Sequence, residues 1–278
     1  MTEAPTRPGA EEPSPLVGSA LRLNREEPVA GPIPRYLVPH WRDRYGVVAG
    51  ITARGQGTGA GFDLGLWTRE PVGDVMGRWR AFREAEPEFR GFAMAHQVHG
   101  TDLVWHVAGR GWTIIDRADG HFTAAPGVLL MVTVADCVPV YLAVPGRVVG
   151  LLHAGWRGTA GGIVERGVGQ LARGAGVPPR DVVAHLGVGI CGACYEVGSE
   201  VVVGCGLPAD GPGPWQLDLR TVLADRARRA GVGEVTVSPW CSAHDRPRFY
   251  SHRASGGADG RMVAFVGLPR IGDASVGD

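Results

Sequence analysis

The chain has 278 residues, 44% of them apolar and 20% charged, enough to bury a sizeable core in one large domain or two small ones. Its 28 basic and 28 acidic side chains cancel, so the overall charge gives no footprint for a nucleic-acid binder. Every basic side chain is an arginine. The absence of lysine excludes a Schiff-base mechanism and a Walker-type phosphate loop, and leaves guanidinium groups and backbone amides to hold any anion.

Residues 1–34 are rich in Pro, Glu, Gly and Ala without periodicity, and are expected to form a disordered tail. Glu3, Glu11 and Glu12 stand there among prolines, which is not the pattern of a signal peptide. No run approaches the ~18 consecutive apolar residues of a membrane span. The five cysteines, at 137, 191, 194, 205 and 241, are odd in number and widely spread, which favours a reducing compartment and a cytoplasmic protein.

From Val47 onward short apolar segments alternate with glycine-containing turns, and residues 35–278 read as a single α/β domain. Strands are expected near 47–52, 91–96, 102–108, 128–134, 138–144, 147–152, 181–188, 234–238 and 262–267. Helices are expected near 73–86, 159–174, 196–203 and 218–230. In the last of these Leu219, Val222, Leu223 and Ala227 share a face, and three arginines crowd its C-terminal end, where cations suit the helix dipole.

Three segments carry metal-binding potential. The first is His96-Gln97-Val98-His99-Gly100; on an extended backbone its two imidazoles point to opposite faces, so one is a candidate ligand and the other a supporting or pocket group. The second, Ala135-Asp136-Cys137-Val138-Pro139, places Cys137 at a strand end or bulge. The third, His153-Ala154-Gly155-Trp156-Arg157-Gly158, follows a buried strand, with Thr159 expected to cap the next helix and Arg157 beside an anion pocket. Two imidazoles and a thiolate form a three-ligand Zn²⁺ site with an open fourth position, the arrangement of a catalytic zinc. Taken singly, His153 also reads as a core histidine and Cys137 as an inert buried thiol.

Further motifs stand in a fixed order: Ala118-Asp119-Gly120, Cys194-Tyr195-Glu196-Val197-Gly198, Phe249-Tyr250-Ser251-His252-Arg253 and Gly260-Arg261-Met262. With the three segments above, these resemble the YfiH or polyphenol-oxidase laccase-domain family, some members of which are zinc-dependent purine nucleoside phosphorylases. The likeness runs from about Val47 to Leu268. It implies His99, Cys137 and His153 as zinc ligands, and layered mixed sheets flanked by helices, α/β/β/α, with the metal in a cleft. Two departures stand out. Asp63 replaces a neutral amide of the family pattern, and Cys191-Gly192-Ala193-Cys194 replaces its paired cysteines; this Cys-x-x-Cys lacks a second pair for a zinc knuckle and reads as structural.

The resemblance implies a nucleoside and inorganic phosphate as substrates, released as base and pentose 1-phosphate from adenosine, inosine or methylthioadenosine, with adenosine deamination at the same metal. Arg54, Arg157, Arg253 and Arg261 form the pool for phosphate, with bidentate guanidinium geometry suited to its oxygens. Gln97 either contacts a base edge or bridges backbone groups, and Asp136 and Glu196 are candidate orienting acceptors. His244 and His252 receive no role. Other classes of function stay open: a copper-dependent polyphenol oxidase, disfavoured because nine histidines without a His-x-His pair barely suffice for a multicopper centre; a cysteine-type hydrolase linked to peptidoglycan editing, with Cys137 as nucleophile; and a non-enzymatic binding module.

Overall fold

The computed structural model describes residues 21–55, 61–66 and 70–270. In chain order these form β1 (Glu27–Val29), β2 (Arg35–Leu37), α1 (Trp41–Tyr45), β3 (Val48–Thr52), α2 (Val72–Ala85), β4 (Gly91–Ala95), β5 (Leu103–His106), β6 (Gly111–Ile115) and β7 (Gly120–Thr123). The long central strands follow: β8 (Val128–Val134), β9 (Val138–Val144) and β10 (Val148–Ala154), then α3 (Trp156–Ala160), α4 (Ile163–Ala175) and β11 (Val183–Leu186). The remainder is β12 (Glu196–Val197), α5 (Ser199–Gly204), β13 (Trp215–Gln216), α6 (Leu219–Arg229), β14 (Glu234–Val237) and β15 (Met262–Gly267).

Two large mixed sheets pack face to face, one in the order β1-β2-β3-β15-β8-β4-β6, the other β14-β11-β9-β10-β7-β5. The period-2 alternation of strand side chains explains the layering. On β8, Val128, Leu130, Val132 and Val134 point into the core between the sheets, where they meet Tyr141, Ala143, Val149 and Leu151 of the opposite sheet. Leu129 and Met131 of β8 face outward against Trp79 and Phe82 of α2. On β9, Val138, Val140, Leu142 and Val144 face the other way, against α4 and α6. Both faces of the central strands are therefore covered, and the four layers are α/β/β/α, as the resemblance implies. No helix of the described residues is long and apolar enough to cross a membrane.

The nine expected strands all occur, because a strand covered on both faces reads as a continuous apolar run. The expected helix over 159–174 is instead two helices, broken at Gly161-Gly162. Gly162 adopts φ 77°, and a Cβ on Gly161 would lie 2.7 Å from Thr101 Cγ2. Thr159 is consequently inside α3 and not an N-cap: its hydroxyl donates back to Gly155 O at 2.9 Å, while Gly155 takes the capping position. The helix expected at 196–203 begins only at Ser199, since Glu196 and Val197 pair with β13. The sequence reading missed β1, β2, β6, β7, β12 and β13, which are short, polar or at an edge.

The expected tail, 1–34, is corrected over its second half. Glu26 is fully buried; its carboxylate accepts from Ser238 Oγ at 2.6 Å and lies 3.1 Å from His185 Nε2, while its carbonyl accepts from Trp240 Nε1. This polar anchor, together with the Leu23–Val237 bridge, orders a stretch too poor in apolar residues to announce itself. Residues 1–20 and 271–278 lie outside the described residues. Because removing Glu26 leaves His185 and Ser238 with unmatched polar atoms in a dry site, Glu26→Ala is expected to lower stability by about 3 kcal/mol in urea unfolding. A loss below ~0.5 kcal/mol would show that the anchor contributes nothing.

Candidate active site

Asp119, fully buried ahead of β7, organises the site. Its carboxylate accepts from three successive backbone amides: Val98 N at 3.2 Å, His99 N at 3.0 Å and Gly100 N at 2.7 Å. The same carboxylate lies 2.9 Å from Nδ1 of His153, near the end of β10. The loop after β4 is thereby wrapped around one anion, with His99 held at φ 59°, a conformation few non-glycine residues adopt. His153 is left with Nε2 to face the cleft, the tautomer logic of a histidine ligand supported by a carboxylate.

Cys137 sits on the turn between β8 and β9, as expected for a strand end. Asp136 immediately before it is also at positive φ, 86°, and is pinned from three sides. Its Oδ1 accepts from Ser242 Oγ at 2.6 Å, its Oδ2 from Arg253 N at 2.6 Å, and its carbonyl from Ile190 N at 3.0 Å. The result is a fixed direction for the Cys137 thiol.

His99, Cys137 and His153 each offer one ligand atom, and the three atoms lie within 4.8 Å of one another. The two imidazoles meet edge to face, with centroids 4.8 Å apart. Burial alone pushes the Cys137 thiol up, but the His153 charge and hydrogen bonds from His153 and His99 outweigh it, bringing the thiol down to about 6. Burial likewise opposes charge on His153, and the neighbouring thiolate and Asp119 raise it to about 9. Without a metal these groups form a thiolate–imidazolium pair, and a divalent cation such as zinc, taking the place of the proton on His153 Nε2, fits the same donors. Gly155 completes the fit by having no side chain: a Cβ there would lie 2.9 Å from Cys137 Sγ.

These groups open into a cleft of about 1300 Å³, also lined by Arg54, Gln97, Arg157, Arg253 and Arg261. Their engagements differ. Arg54 is paired with Asp259 at 2.7 Å and lies over the Tyr250 ring. Arg253 donates to Glu196 O at 2.7 Å and lies over Tyr195, whereas the Glu196 side chain is exposed. Arg261 donates to the carbonyls of Asp259 and Gly260. Arg157, exposed at the start of α3, stacks on Trp156 and has no ion pair or hydrogen bond to another described residue from its side chain. Gln97 takes the bridging role: its Nε2 donates to Thr133 O and its Oε1 accepts from Thr133 N and Oγ1. Asp63 is buried, its Oδ1 accepting from Gly65 N and Arg261 N, so its charge is absorbed in the cleft wall.

The family model described as multi-copper polyphenol oxidoreductase laccase matches residues 48–269. The chain belongs to this laccase-domain family. A purine nucleoside phosphorylase of Deinococcus radiodurans is 44% identical over 188 residues, 64% of this chain and 71% of that protein. The purine nucleoside phosphorylase YlmD of Geobacillus stearothermophilus is 35% identical over 248 residues, 80% and 90% of the two chains. The crystal structure of the same YlmD superposes with a TM-score of 0.79 at 32% identity, covering 88% of this chain and all of that one. A YfiH structure from Bacillus licheniformis gives 0.77 at 29%, covering 86% and 97%. The chain thus shares the layered architecture of these solved structures.

Sequence reasoning missed two features. Asp119 stood in a recognised motif but was given no role; its signal is an acidic residue ahead of a short strand whose anion is needed by a loop 20 residues away. The view that Cys191 and Cys194 lack a second pair is corrected: the fold brings Cys241 and His244 to them, and the four ligand atoms lie within 4.8 Å. The missed signal is that Cys241-Ser-Ala-His244 repeats the two-residue spacing of the first pair. For the cleft site, Asp119→Asn should weaken zinc binding about 10- to 100-fold in competition with a chelator, since it removes the charge orienting His153. Unchanged affinity would remove Asp119 from the site's support.

Proposed function

We propose that the protein is a zinc-dependent purine nucleoside phosphorylase, with His99, Cys137 and His153 holding the metal and the arginines of the cleft holding phosphate. The observation that carries this reading is the convergence of two imidazoles and a thiolate from three remote segments in an arginine-lined cleft, in a chain whose relatives bear that activity in their names. In the reaction a phosphate oxygen forms a bond to the anomeric carbon, the bond from that carbon to the purine breaks, and the purine leaves with the electron pair. Zinc at this position supplies Lewis acidity toward an oxygen of either substrate.

The residues of the chain supply position and charge. Arg157, with its guanidinium uncommitted to any described acceptor, is the natural first contact for an incoming phosphate, in bidentate geometry. Arg253 and Arg54 are held by their own partners in fixed places on the cleft wall, preorganised for the charge that develops on the oxygens. Asp119 keeps His153 in one tautomer throughout, and the pinned Asp136 keeps Cys137 in place. The copper-oxidase alternative lacks support, because the described residues form only two groups of three or more potential ligands and none resembles a trinuclear cluster.

One observation favours a second reading. Asp119, His153 and Cys137 stand in the order of an orienting acid, a base and a nucleophile, the arrangement of a cysteine hydrolase. The two readings separate by alkylation: a metal-held thiolate resists iodoacetamide until zinc is chelated, whereas a free one reacts at once.

Incubation with adenosine, inosine or methylthioadenosine, each with and without phosphate, should give free base and pentose 1-phosphate only when phosphate is present. Cys137→Ser should abolish that turnover and remove the zinc of the cleft. Turnover of none of the three nucleosides by the zinc-loaded protein overturns the assignment. Arg157→Ala is expected to raise the KM for phosphate at least 10-fold; an unchanged phosphate KM would move the anion contact to another arginine.

A further inference from the structure

We propose that Cys191, Cys194, Cys241 and His244 form a second, structural zinc site of three thiolates and one imidazole, separate from the cleft ligands. The two halves are short turns with the same spacing. Cys191-Gly-Ala-Cys194 winds through a single 3-10 turn, with Cys194 N donating to Cys191 O at 3.1 Å. Cys241-Ser-Ala-His244 closes a turn in which Asp245 N donates to Cys241 O at 2.8 Å. A parallel bridge between Gly189 and Cys241 and the bond from Ser242 N to Gly189 O set the turns side by side.

The donor atoms are close enough together to share one ion. All four lie within 4.8 Å of one another, and the His244 ring stands 3.4 Å from both Cys191 Sγ and Cys194 Sγ. Two backbone amides, Cys191 N at 3.3 Å and His244 N at 3.4 Å, donate to Cys241 Sγ, the contact that stabilises a metal-held thiolate. Cys191 and Cys241 are buried, which keeps water from the ion, while Cys194 is half-buried and His244 exposed, which gives it a way in. The buried Arg220, ion-paired with Asp218, donates to Ser238 O and Trp240 O and so fixes the backbone just before Cys241. Four ligands close the coordination shell, so this centre holds the fold and leaves no position for a substrate.

What it holds is the turn under Cys137. Ile190 and Ser242, each next to a proposed ligand, are two of the three groups that fix Asp136. An ion tying Cys191 to Cys241 therefore braces the backbone that presents the cleft thiol, although no ligand is shared between the sites.

The test is metal analysis of the full chain purified without added metal. The wild type should carry two zinc ions per chain, Cys137→Ser one, and Cys194→Ser/His244→Ala one, with a lower Tm in the last. Because misfolding of that double variant would hide the metal count, the Cys137→Ser protein is also stripped and reloaded with Co²⁺. Its only thiolate-to-cobalt absorbance should then come from a three-thiolate tetrahedral site. One zinc in the wild type that disappears in Cys137→Ser overturns the proposal, as does a Cys137→Ser protein that takes up cobalt without such a band. A mass two hydrogens below that of the reduced chain, locating a disulfide among these cysteines in the freshly isolated protein, overturns it as well.

Discussion

Asp119 is fully buried, and its carboxylate is shared between the amides of Val98, His99 and Gly100 and the far nitrogen of His153. Hydrogen bonds to a charged group contribute about 1.5–3 kcal/mol each, and a buried carboxylate without them would be strongly unfavourable. One anion thus forces two imidazoles, 54 positions apart in the chain, to the same point. The left-handed backbone at His99 is offset by the three amide bonds that this loop makes to a single acceptor.

The two sheets make this possible by being rigid. Strands β8, β9 and β10 are buried on both faces between the inner core and the helices, so the turn carrying Cys137 and the end carrying His153 leave a scaffold that cannot shift independently. β9 and β10 pair along seven residues, and the pairing sets His153 opposite Pro139, two residues from Cys137. Gly155 lets the thiol and the imidazoles approach without a side chain between them. Strain at Asp136 and His99 is concentrated beside the candidate ligands, and is offset by the packing around it.

Much of this was legible beforehand for a physical reason. The central strands announce themselves because both faces are apolar, and His99, Cys137 and His153 stand out as candidate ligands because they end or interrupt such runs. The tail was misread because residues 21–34 are ordered by Glu26, whose buried partners His185 and Ser238 lie more than 150 positions away. The α3–α4 break was invisible to periodicity because the helical face continues across Gly161-Gly162. Gln97 was ambiguous until Thr133, brought beside it across the fold, took both ends of its amide. The Cys191–His244 grouping escaped because a Cys-x-x-His was not weighed as the partner of a Cys-x-x-Cys.

Anomalous diffraction at the zinc absorption edge tests the central claim most directly. The account predicts a peak bounded by His99, Cys137 and His153, at about 2.3 Å from the sulfur and about 2.0–2.1 Å from each nitrogen. Crystals of active, zinc-containing protein with no peak between those three side chains would contradict it.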